Sequence, residues 1–579
     1  MAAKTVADQL VEFLTRLGVE RIYGLVGDSL NPVSDALRRQ KAIEWVDVHN
    51  EEAAAFAAAA EARLTGKLAV CAGSCGPGNT HLIQGLYDAN RSGSPVLAIA
   101  SHIPSGQIGT SFFQETHPEQ LFTEASHYCE MANSPRQAAR ILHNAVQTAI
   151  SARGVGVLVL PGDIASAEAV DAPALGAVST LPPVHVPQPQ VVDELAERIN
   201  AAGKVTLFVG AGVRGAHEQV MALAQKVKSP VGHALGGKEW IQYDNPYEVG
   251  MSGLLGYGAA FDACHDADLL LLLGTDFPYD QFLPEKVQIV QVDRYGHRLG
   301  RRAKLDLAIE GDVAATIDAL LPKLTEKTDR AFLDKMLDEH CKKLEKVVDA
   351  YTKNVEKHTP IHPEYVASVL DHLADDDAVF TVDTGMCNVW AARYITPNGR
   401  RRVIGSWHHG TMANALPHAI GASCAYPDRQ VISMSGDGGL AMLMGELLTV
   451  VEHKLNTKIV LFNNSTLGMV RLEMLVDAMP AWGTDRPSTD YAAIAQAVGI
   501  GSVRITDPAT LPDQLRDALA ADGPMLIDIV TDPDALSIPP HITGAQLQGF
   551  AMAATRVVLD GGVGDMIKLA RSNLRNIPR

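Results

Sequence analysis

One strand–helix–strand stretch near the end of the chain constrains its fold more than any other. An apolar run at 431–434 leads into the glycine-rich segment 436–439, and a helix-like segment follows at about 441–453. A second apolar run, 458–462, ends at the Asn-Asn pair 463–464. Two strands joined by a helix form a βαβ crossover, which places the ends of parallel strands side by side. The stretch therefore predicts a parallel α/β sheet.

Polar side chains stand at the ends of both predicted strands. The carboxylate of Asp437 and the amide oxygen of Asn464 should converge at the carboxyl edge of the sheet, where open α/β sheets bind ligands. Such oxygen ligands suit Mg²⁺, which takes its remaining ligands from water and phosphates. The glycines let a diphosphate approach a helix N-terminus. Gly-Asp-Gly alone is usually a turn and Asn-Asn a loop, but 24 residues separate Gly438 from Asn463, and the pair at this spacing is specific.

Charge and length limit the other functions that the chain could have. Its 579 residues carry a net charge of −18, which argues against nucleic acid as the main partner. At roughly 150 residues per domain, the length allows about four domains. Residues 1–14 predict an amphipathic helix rather than a signal peptide, and no apolar run reaches the ~18 residues of a membrane span. Seven scattered cysteines favour reduced thiols in a cytoplasmic protein.

Alternating strand and helix patterns predict an α/β protein with three parallel-sheet units and a short C-terminal helical tail. The predicted boundaries are 1–182, 183–340, 341–530 and 531–579. A proline-rich linker is expected at 181–189, and the charged run 323–357 is expected to be helical. The outer units are similar in size, which suggests a duplication. In the tail, apolar residues at helical spacing lie opposite Lys568 and Arg571, so the pattern favours a helix on a lipid surface or one packed on the protein.

The spacing of the opening stretch resembles the motif that binds thiamine diphosphate. That cofactor needs an acid that drives its aminopyrimidine ring to the imino form, and a bulky residue that bends it. Glu51, at a predicted helix start after a strand, is the candidate acid, although alone it would more often be a carboxylate favoured by the helix dipole. Met412, after Gly410-Thr411, is the candidate wedge, although Met at such a position is usually core.

Further matching stretches cover nearly the whole chain. They are residues 24–31, 71–79, 113–118, 233–239, 274–279 and 389–394, with the Gly-Asp-Gly to Asn-Asn core. On these residues the chain resembles the bacterial pyruvate:quinone oxidoreductases of the acetohydroxyacid synthase superfamily. The resemblance implies pyrimidine-binding, FAD-binding and diphosphate-binding domains in that order. It also implies thiamine diphosphate, FAD and Mg²⁺ as cofactors, and a tail that binds membrane lipid.

The resemblance also assigns roles to single residues. It makes Glu51 the activating acid and gives Mg²⁺ the ligands Asp437, Asn464 and the backbone carbonyl of Thr466. The implied thiamine-binding residues are Glu51, Gly410, Thr411, Met412, Asp437, Gly438, Gly439, Asn464, Ser465, Thr466, Leu467, Gly468, Met469 and Val470. Those implied for FAD are Ser252, Gly253, Leu254, Leu255, Thr275, Asp276, Phe277, Pro278, Tyr279 and Asp293. The small substrate pocket is expected near Phe113, Gln114, Thr384, Met469 and Glu473, with Phe113 equally explained as core packing.

The implied reaction is oxidative decarboxylation of pyruvate to acetate and CO₂, with electrons passing through FAD to a membrane quinone, either ubiquinone or menaquinone. The expected assembly is a homotetramer, peripheral on the inner face of the cell membrane and bound to anionic lipid. Alternatives are a phosphate-dependent pyruvate oxidase that makes acetyl phosphate and an acetohydroxyacid synthase-like carboligase. A binding protein with a catalytically inactive site is disfavoured, because Glu51, Asp437 and Asn464 are all present. Asn50, Thr384 and Met469 depart from the family pattern and leave the pocket shape open.

Overall fold

Three β-sheets organise the residues that this computed structural model describes, which are 3–170, 176–181, 183–477, 479–536 and 572–573. The sheets have six, seven and six strands, and one lies in each predicted α/β unit. The predicted fold class is therefore confirmed.

The first domain is a doubly wound parallel sheet. Its strands are β1 (Arg21–Gly24), β2 (Glu44–Asp47), β3 (Ala69–Gly73), β4 (Val96–His102), β5 (Tyr128–Met131) and β6 (Val155–Pro161). Its helices are α1 (Val6–Arg16), α2 (Asn31–Gln40), α3 (Glu51–Thr65), α4 (Pro77–Arg91), α5 (Pro118–Leu121), α6 (Pro135–Ala152) and α7 (Gly162–Ser166). Successive strand residues such as Ala98 and Ile99 enter two different cores, one on each face of the sheet.

The middle domain has a mixed sheet at one edge. Its strands are β7 (Val205–Val209), β8 (Val231–His233), β9 (Glu248–Met251), β10 (Tyr257–Gly258), β11 (Leu269–Leu273), β12 (Gln288–Asp293) and β13 (Leu307–Glu310). The short edge strand β10 is antiparallel to β9, whereas the other pairs are parallel. Its helices are α8 (Pro189–Ala201), α9 (His217–Val227), α10 (Lys238–Ile241), α11 (Ala260–His265), α12 (Val313–Leu320) and α13 (Ala331–Lys343).

The third domain again has a fully parallel sheet. Its strands are β14 (Val379–Val382), β15 (Arg402–Gly405), β16 (Val431–Gly436), β17 (Thr457–Asn463), β18 (Gly501–Ile505) and β19 (Met525–Val530). Its helices are α14 (Pro363–Leu373), α15 (Met386–Tyr394), α16 (Ala415–Ala425), α17 (Asp437–Met442), α18 (Glu446–Glu452), α19 (Gly468–Val476), α20 (Tyr491–Ala497) and α21 (Leu511–Ala520).

The first and third sheets share one topology. The first runs β2-β1-β3-β4-β6-β5 and the third β15-β14-β16-β17-β19-β18, which is the same order when each sheet is counted from its own first strand. This agreement supports the duplication that the similar size of the two units suggested.

Two predicted helices differ in the structure. The helix expected at 441–453 is two helices, α17 and α18, with a break at 443–445 that contains Gly445. The charged run 323–357 is α-helical only in α13, and shorter turns follow it at 344–351. The predicted tail helix lies outside the described residues except for Ser572 and Asn573, which hydrogen-bond to Asp532 and to the Asp534 carbonyl.

Candidate active site

The ends of β16 and β17 bring the predicted metal ligands together. The two strands pair in parallel up to Gly436 opposite Phe462, so Asp437 and Asn464 leave neighbouring strand ends. The backbone N–H groups of Gly438 and Ser465 lie near the buried Asp437 carboxylate and lower its pKa. The predicted βαβ convergence of Asp437 with the Asn-Asn segment is therefore present.

This cluster of oxygen atoms fits Mg²⁺. Burial raises the pKa of Asp437 to about 6, and among the described residues its carboxylate makes no ion pair with an arginine, lysine or histidine. The Asn464 side-chain oxygen accepts the Thr466 N–H at 3.1 Å, and the Thr466 carbonyl accepts the Gly468 N–H at 3.0 Å, which leaves each oxygen a second lone pair. Within the described ranges, no three His, Cys, Asp or Glu side chains cluster as a metal site. The set thus has one acid and two neutral oxygens, as an ion that also binds a diphosphate requires.

The predicted wedge lies beside the metal-binding turn. A Cβ atom added to Gly438 would lie 2.7 Å from the Leu467 side chain and 3.4 Å from the Met412 methyl group. Gly438, Leu467 and Met412 therefore line one space. Gly410 has φ of +73°, a left-handed conformation that glycine adopts without strain, and it turns the chain into Thr411. The half-site of the third domain is assembled within one chain.

Glu51 begins α3 and is buried in the first domain. The Asn50 side chain caps the helix by accepting the Glu52 N–H at 2.9 Å. One Glu51 oxygen lies 2.9 Å from His81 Nδ1, and the other lies against Gly78, where an added Cβ would approach it to 2.8 Å. His81, which has no motif to mark it in the sequence, is thus a polar partner of the predicted acid.

The first and third domains pack directly on each other in one chain. Helix α3 lies against α16, and the His49 N–H donates to the Glu446 carboxylate at 3.2 Å. On the other side of the contact, the Gln84 side chain donates to Thr411 Oγ at 2.8 Å. The described contacts of the Glu51 carboxylate itself are with residues of its own domain.

The predicted substrate-pocket residues fall into two groups. Met469 and Glu473 are four residues apart on α19 and share one of its faces. Gln114 lies in the first domain, where its side-chain oxygen is 3.3 Å from Cys75 Sγ. Phe113 is 76% exposed, so its explanation as core packing is wrong for the single chain. For these residues to form one pocket, Phe113 and Gln114 of the first domain would have to face α19.

The predicted flavin segments meet in the middle domain. Gly253 has φ of +113°, and an added Cβ would lie 3.2 Å from the Phe277 ring and 3.5 Å from the Tyr279 ring. The Ser252 hydroxyl and one Asp276 carboxylate oxygen are buried without a hydrogen-bond partner among the described residues. Buried polar atoms of this kind are normally satisfied. The Ser252 hydroxyl could donate to a flavin phosphate, and the Asp276 oxygen could accept from a hydroxyl or ring N–H of the flavin.

The remaining predicted residues occupy these same turns. Asp293 ends β12, and burial raises its pKa. Thr275 and Thr466 are buried, whereas Leu254, Pro278 and Val470 are exposed. Leu255 and Met469 pack against one core cluster that joins the middle and third domains. Ser465 is left-handed with φ of +54°, and Gly439 lies beside Asp383, a buried acid that no sequence motif marked.

Comparison with known proteins agrees with this geometry. Residues 4–121, 192–320 and 383–529 match the N-terminal TPP binding, central and C-terminal TPP binding domains of thiamine pyrophosphate enzymes. A putative thiamine pyrophosphate-containing protein YdaP of Bacillus subtilis (strain 168) is 33% identical over 99% of each chain. The pyruvate oxidase of Lactiplantibacillus plantarum is 29% identical over 91% of this chain and 88% of its own. An acetolactate synthase of Mycobacterium bovis is 32% identical over 93% and 90%.

Fold, site and relatives define a class of enzyme that works with thiamine diphosphate, the cofactor also called thiamine pyrophosphate. The chain belongs to the thiamine pyrophosphate-dependent enzyme family, and its relatives include pyruvate oxidases and acetolactate synthases. The match to three successive domain descriptions follows the order of the three sheets.

Proposed function

We propose that the enzyme oxidises pyruvate to acetate and CO₂, with water supplying one acetate oxygen and a membrane quinone reduced to the quinol. One carbon–carbon bond of pyruvate breaks, and two electrons and two protons leave with the quinol. Bound thiamine diphosphate supplies the decarboxylation chemistry, and FAD supplies the two-electron transfer. Pyruvate as the substrate is supported by the pyruvate oxidase relative, and quinone as the acceptor is the further step of this proposal.

One observation carries the oxidative part of the proposal. The pKa of Tyr279, in the predicted flavin segment, is raised by burial and then by the negative charge of Glu473 on α19. Leu255, in a segment assigned to FAD, and Met469, in the predicted substrate pocket, also pack against one core cluster, so the two groups of residues lie near each other. A flavin held at Gly253 and Tyr279 would lie next to the place where pyruvate loses CO₂, which suits electron transfer between them.

The protein residues have separate tasks in this scheme. Asp437, Asn464 and the Thr466 carbonyl would hold Mg²⁺ and, through it, the diphosphate. Met412 and Leu467 would fix the bend of the cofactor from one side. Glu51 would keep a proton at the pyrimidine nitrogen, where its buried carboxyl is shielded from water and oriented by His81.

Anaerobic mixing of the holoenzyme with pyruvate tests the reaction. We expect the flavin absorbance to bleach, acetate to form, and neither result to depend on phosphate. Formation of acetyl phosphate only when phosphate is present would replace the quinone proposal by a phosphate-dependent oxidase. Acetolactate formation without bleaching would replace it by a carboligase. After bleaching, a soluble quinone analogue should restore the flavin absorbance.

We further propose that the complete site lies between two copies of the chain, in a homotetramer. Phe113 is exposed next to Gln114, so the pocket group of the first domain is available to a second copy. Mixing Glu51→Gln with Asp437→Ala subunits tests this. Each variant should be inactive alone, and random exchange should restore roughly a quarter of wild-type activity, because half of the pairs then contain one intact site of two. A mixture that stays inactive although exchange is shown by mass spectrometry would contradict the composite site.

The proposed quinone is a membrane component, so we propose that the tail brings the enzyme to anionic lipid from the cytoplasmic side. No helix in the described part of the chain is long and apolar enough to cross a membrane. The basic residues Lys568 and Arg571 support attraction to anionic lipid. Deleting residues from about 560 onward should spare pyruvate-dependent reduction of a soluble dye and weaken sedimentation with anionic liposomes. If the full chain does not bind these liposomes, the proposed lipid anchor is wrong.

A further inference from the structure

Asp383 is a buried acid at the carboxyl edge of the third sheet. It follows β14 directly, and only 2% of its surface is exposed. Among the described residues it has no arginine, lysine or histidine in an ion pair. A buried carboxylate without a cation must be stabilised by hydrogen-bond donors, so the donors around Asp383 indicate what it does.

The donors come from two turns that the cofactor site uses. Besides the N–H of the next residue, Thr384, which donates to Asp383 at 3.1 Å, three backbone N–H groups lie near the carboxylate and lower its pKa. They belong to Ala413 and Asn414, next to the Gly410–Met412 turn, and to Gly436, which precedes the metal ligand Asp437. The Asn414 side chain adds a contact at 3.3 Å and also donates to the Thr411 carbonyl at 2.7 Å. One carboxylate thus joins the pyrimidine turn to the metal-binding turn.

The strained backbone at Ala413, in the pyrimidine turn, requires neighbouring contacts that hold the turn in place. Ala413 has φ of +69°, a left-handed conformation that costs an alanine free energy. Its N–H lies near the Asp383 carboxylate, and the Asn414 side chain donates both to that carboxylate at 3.3 Å and to the Thr411 carbonyl at 2.7 Å. Without the carboxylate, Ala413 would be free to return to an ordinary conformation and move Met412 with it.

The second side of Asp383 lies against the diphosphate turn. A methyl group placed on Gly439 would overlap the Asp383 carboxylate oxygen. Gly439 therefore lacks a side chain here because Asp383 occupies the space. The position of the acid and the identity of this glycine depend on each other.

We propose that Asp383 is a positioning residue that locks the pyrimidine turn at 410–414 to the diphosphate turn at 436–439. It acts through these turns and not on the substrate. The proposal rests on the thiamine site described above. Burial raises the pKa of Asp383 to about 7, although the surrounding N–H groups lower it, which agrees with an acid whose place is set by packing and backbone donors.

Titration of the FAD-loaded enzyme with thiamine diphosphate at fixed Mg²⁺, followed by isothermal titration calorimetry, tests the proposal. Asp383→Asn places an amide N–H₂ among backbone donors and should weaken binding about tenfold or more, with FAD content unchanged. Asp371→Asn is the matched control, because Asp371 pairs with Arg401 at 2.7 Å in the same domain and away from the two turns. The control should lower stability without changing the affinity.

A double-variant cycle with Gly439→Ala separates positioning from a general loss of stability. Gly439→Ala should weaken binding strongly in the wild-type background and much less in Asp383→Ala, where the overlap is gone. Effects that multiply to within about twofold would show that the residues are independent and would overturn the proposal. Unchanged affinity in Asp383→Asn, or an equal loss in Asp371→Asn, would also overturn it. Wild-type enzyme that binds no thiamine diphosphate would instead refute the proposed function.

Discussion

Replacing Glu239 with glutamine should destabilise the junction where the three domains meet. Glu239 lies in α10 of the middle domain, and its carboxylate accepts hydrogen bonds from Arg402 Nε at 3.0 Å and from the Val403 N–H at 3.1 Å. Arg402 of the third domain also donates to the Leu64 carbonyl of the first domain at 3.2 Å. Its guanidinium carbon lies 4.8 Å from the centre of the Trp240 ring. This ion pair therefore fixes the middle domain relative to the first and third domains.

The burial of the pair sets the size of the effect. The Arg402 and Glu239 side chains are 12% and 4% exposed, so little water remains to stabilise either charge. Glu239→Gln would leave the Arg402 charge buried and unpaired, which costs about 3–5 kcal/mol. The double variant Glu239→Gln/Arg402→Met removes both charges and should recover most of that loss.

Urea denaturation followed by tryptophan fluorescence measures this effect, because Trp240 lies at the junction. Asp376→Asn is the control. The Arg400–Asp376 ion pair is 2.7 Å long, close to the 3.0 Å of the Arg402–Glu239 pair, but the Arg400 and Asp376 side chains are 64% and 74% exposed. The control should change the free energy of unfolding by less than about 1 kcal/mol. If Glu239→Gln and Asp376→Asn shifted the denaturation midpoint equally, the reasoning from burial would be refuted.

Three further variants test the site and the middle domain. Glu51→Gln should slow turnover by ~10²–10⁴-fold with cofactor binding unchanged, and wild-type turnover would exclude Glu51 as the acid. Asp437→Ala should abolish Mg²⁺-dependent thiamine diphosphate binding and retain FAD; unchanged affinity in a cofactor titration would exclude it as a ligand. Burial lowers the pKa of Lys238 from 10.5 to about 8, so below pH 8 its charge costs about 3 kcal/mol, and this cost disappears as the pH rises from 8 to 10.5. Lys238→Met should therefore stabilise the protein at pH 7 and progressively less towards pH 10.5; a gain that is independent of pH in urea denaturation would contradict this.

The sequence predicted the parts of the fold that have strong local patterns. The apolar runs at β16 and β17 are buried strands, as expected. The strands β10 and β18 were not predicted, because β10 has only two residues and β18, Gly-Ser-Val-Arg-Ile, has only two apolar residues. Each of them pairs with the strand next to it in the chain, β9 and β19 respectively, and is defined by that partner more than by its own sequence.

The residues of the candidate site also include some that the sequence pattern predicts and some that it does not. Asp437 and Asn464 could be found because both follow strands at a fixed spacing. Asp383 and His81 could not, since a single polar residue after a strand or within a helix is common, and each acquires its role only from folded neighbours. Sequence could also not show that Phe113 is exposed, because an aromatic residue in a loop is compatible with either outcome.

The common strand order of the outer sheets has a consequence for symmetry. Helix α3 connects β2 to β3, and α16 connects β15 to β16, so the two helices occupy equivalent positions and pack on each other as in a twofold dimer. A fused descendant of a self-associating ancestor would keep such an isologous contact inside one chain. The contact is so close that a methyl group on Gly421 would overlap the Ala57 carbonyl, which explains the small residues on both helices. A larger side chain on either helix at this contact would therefore require a compensating change on the other.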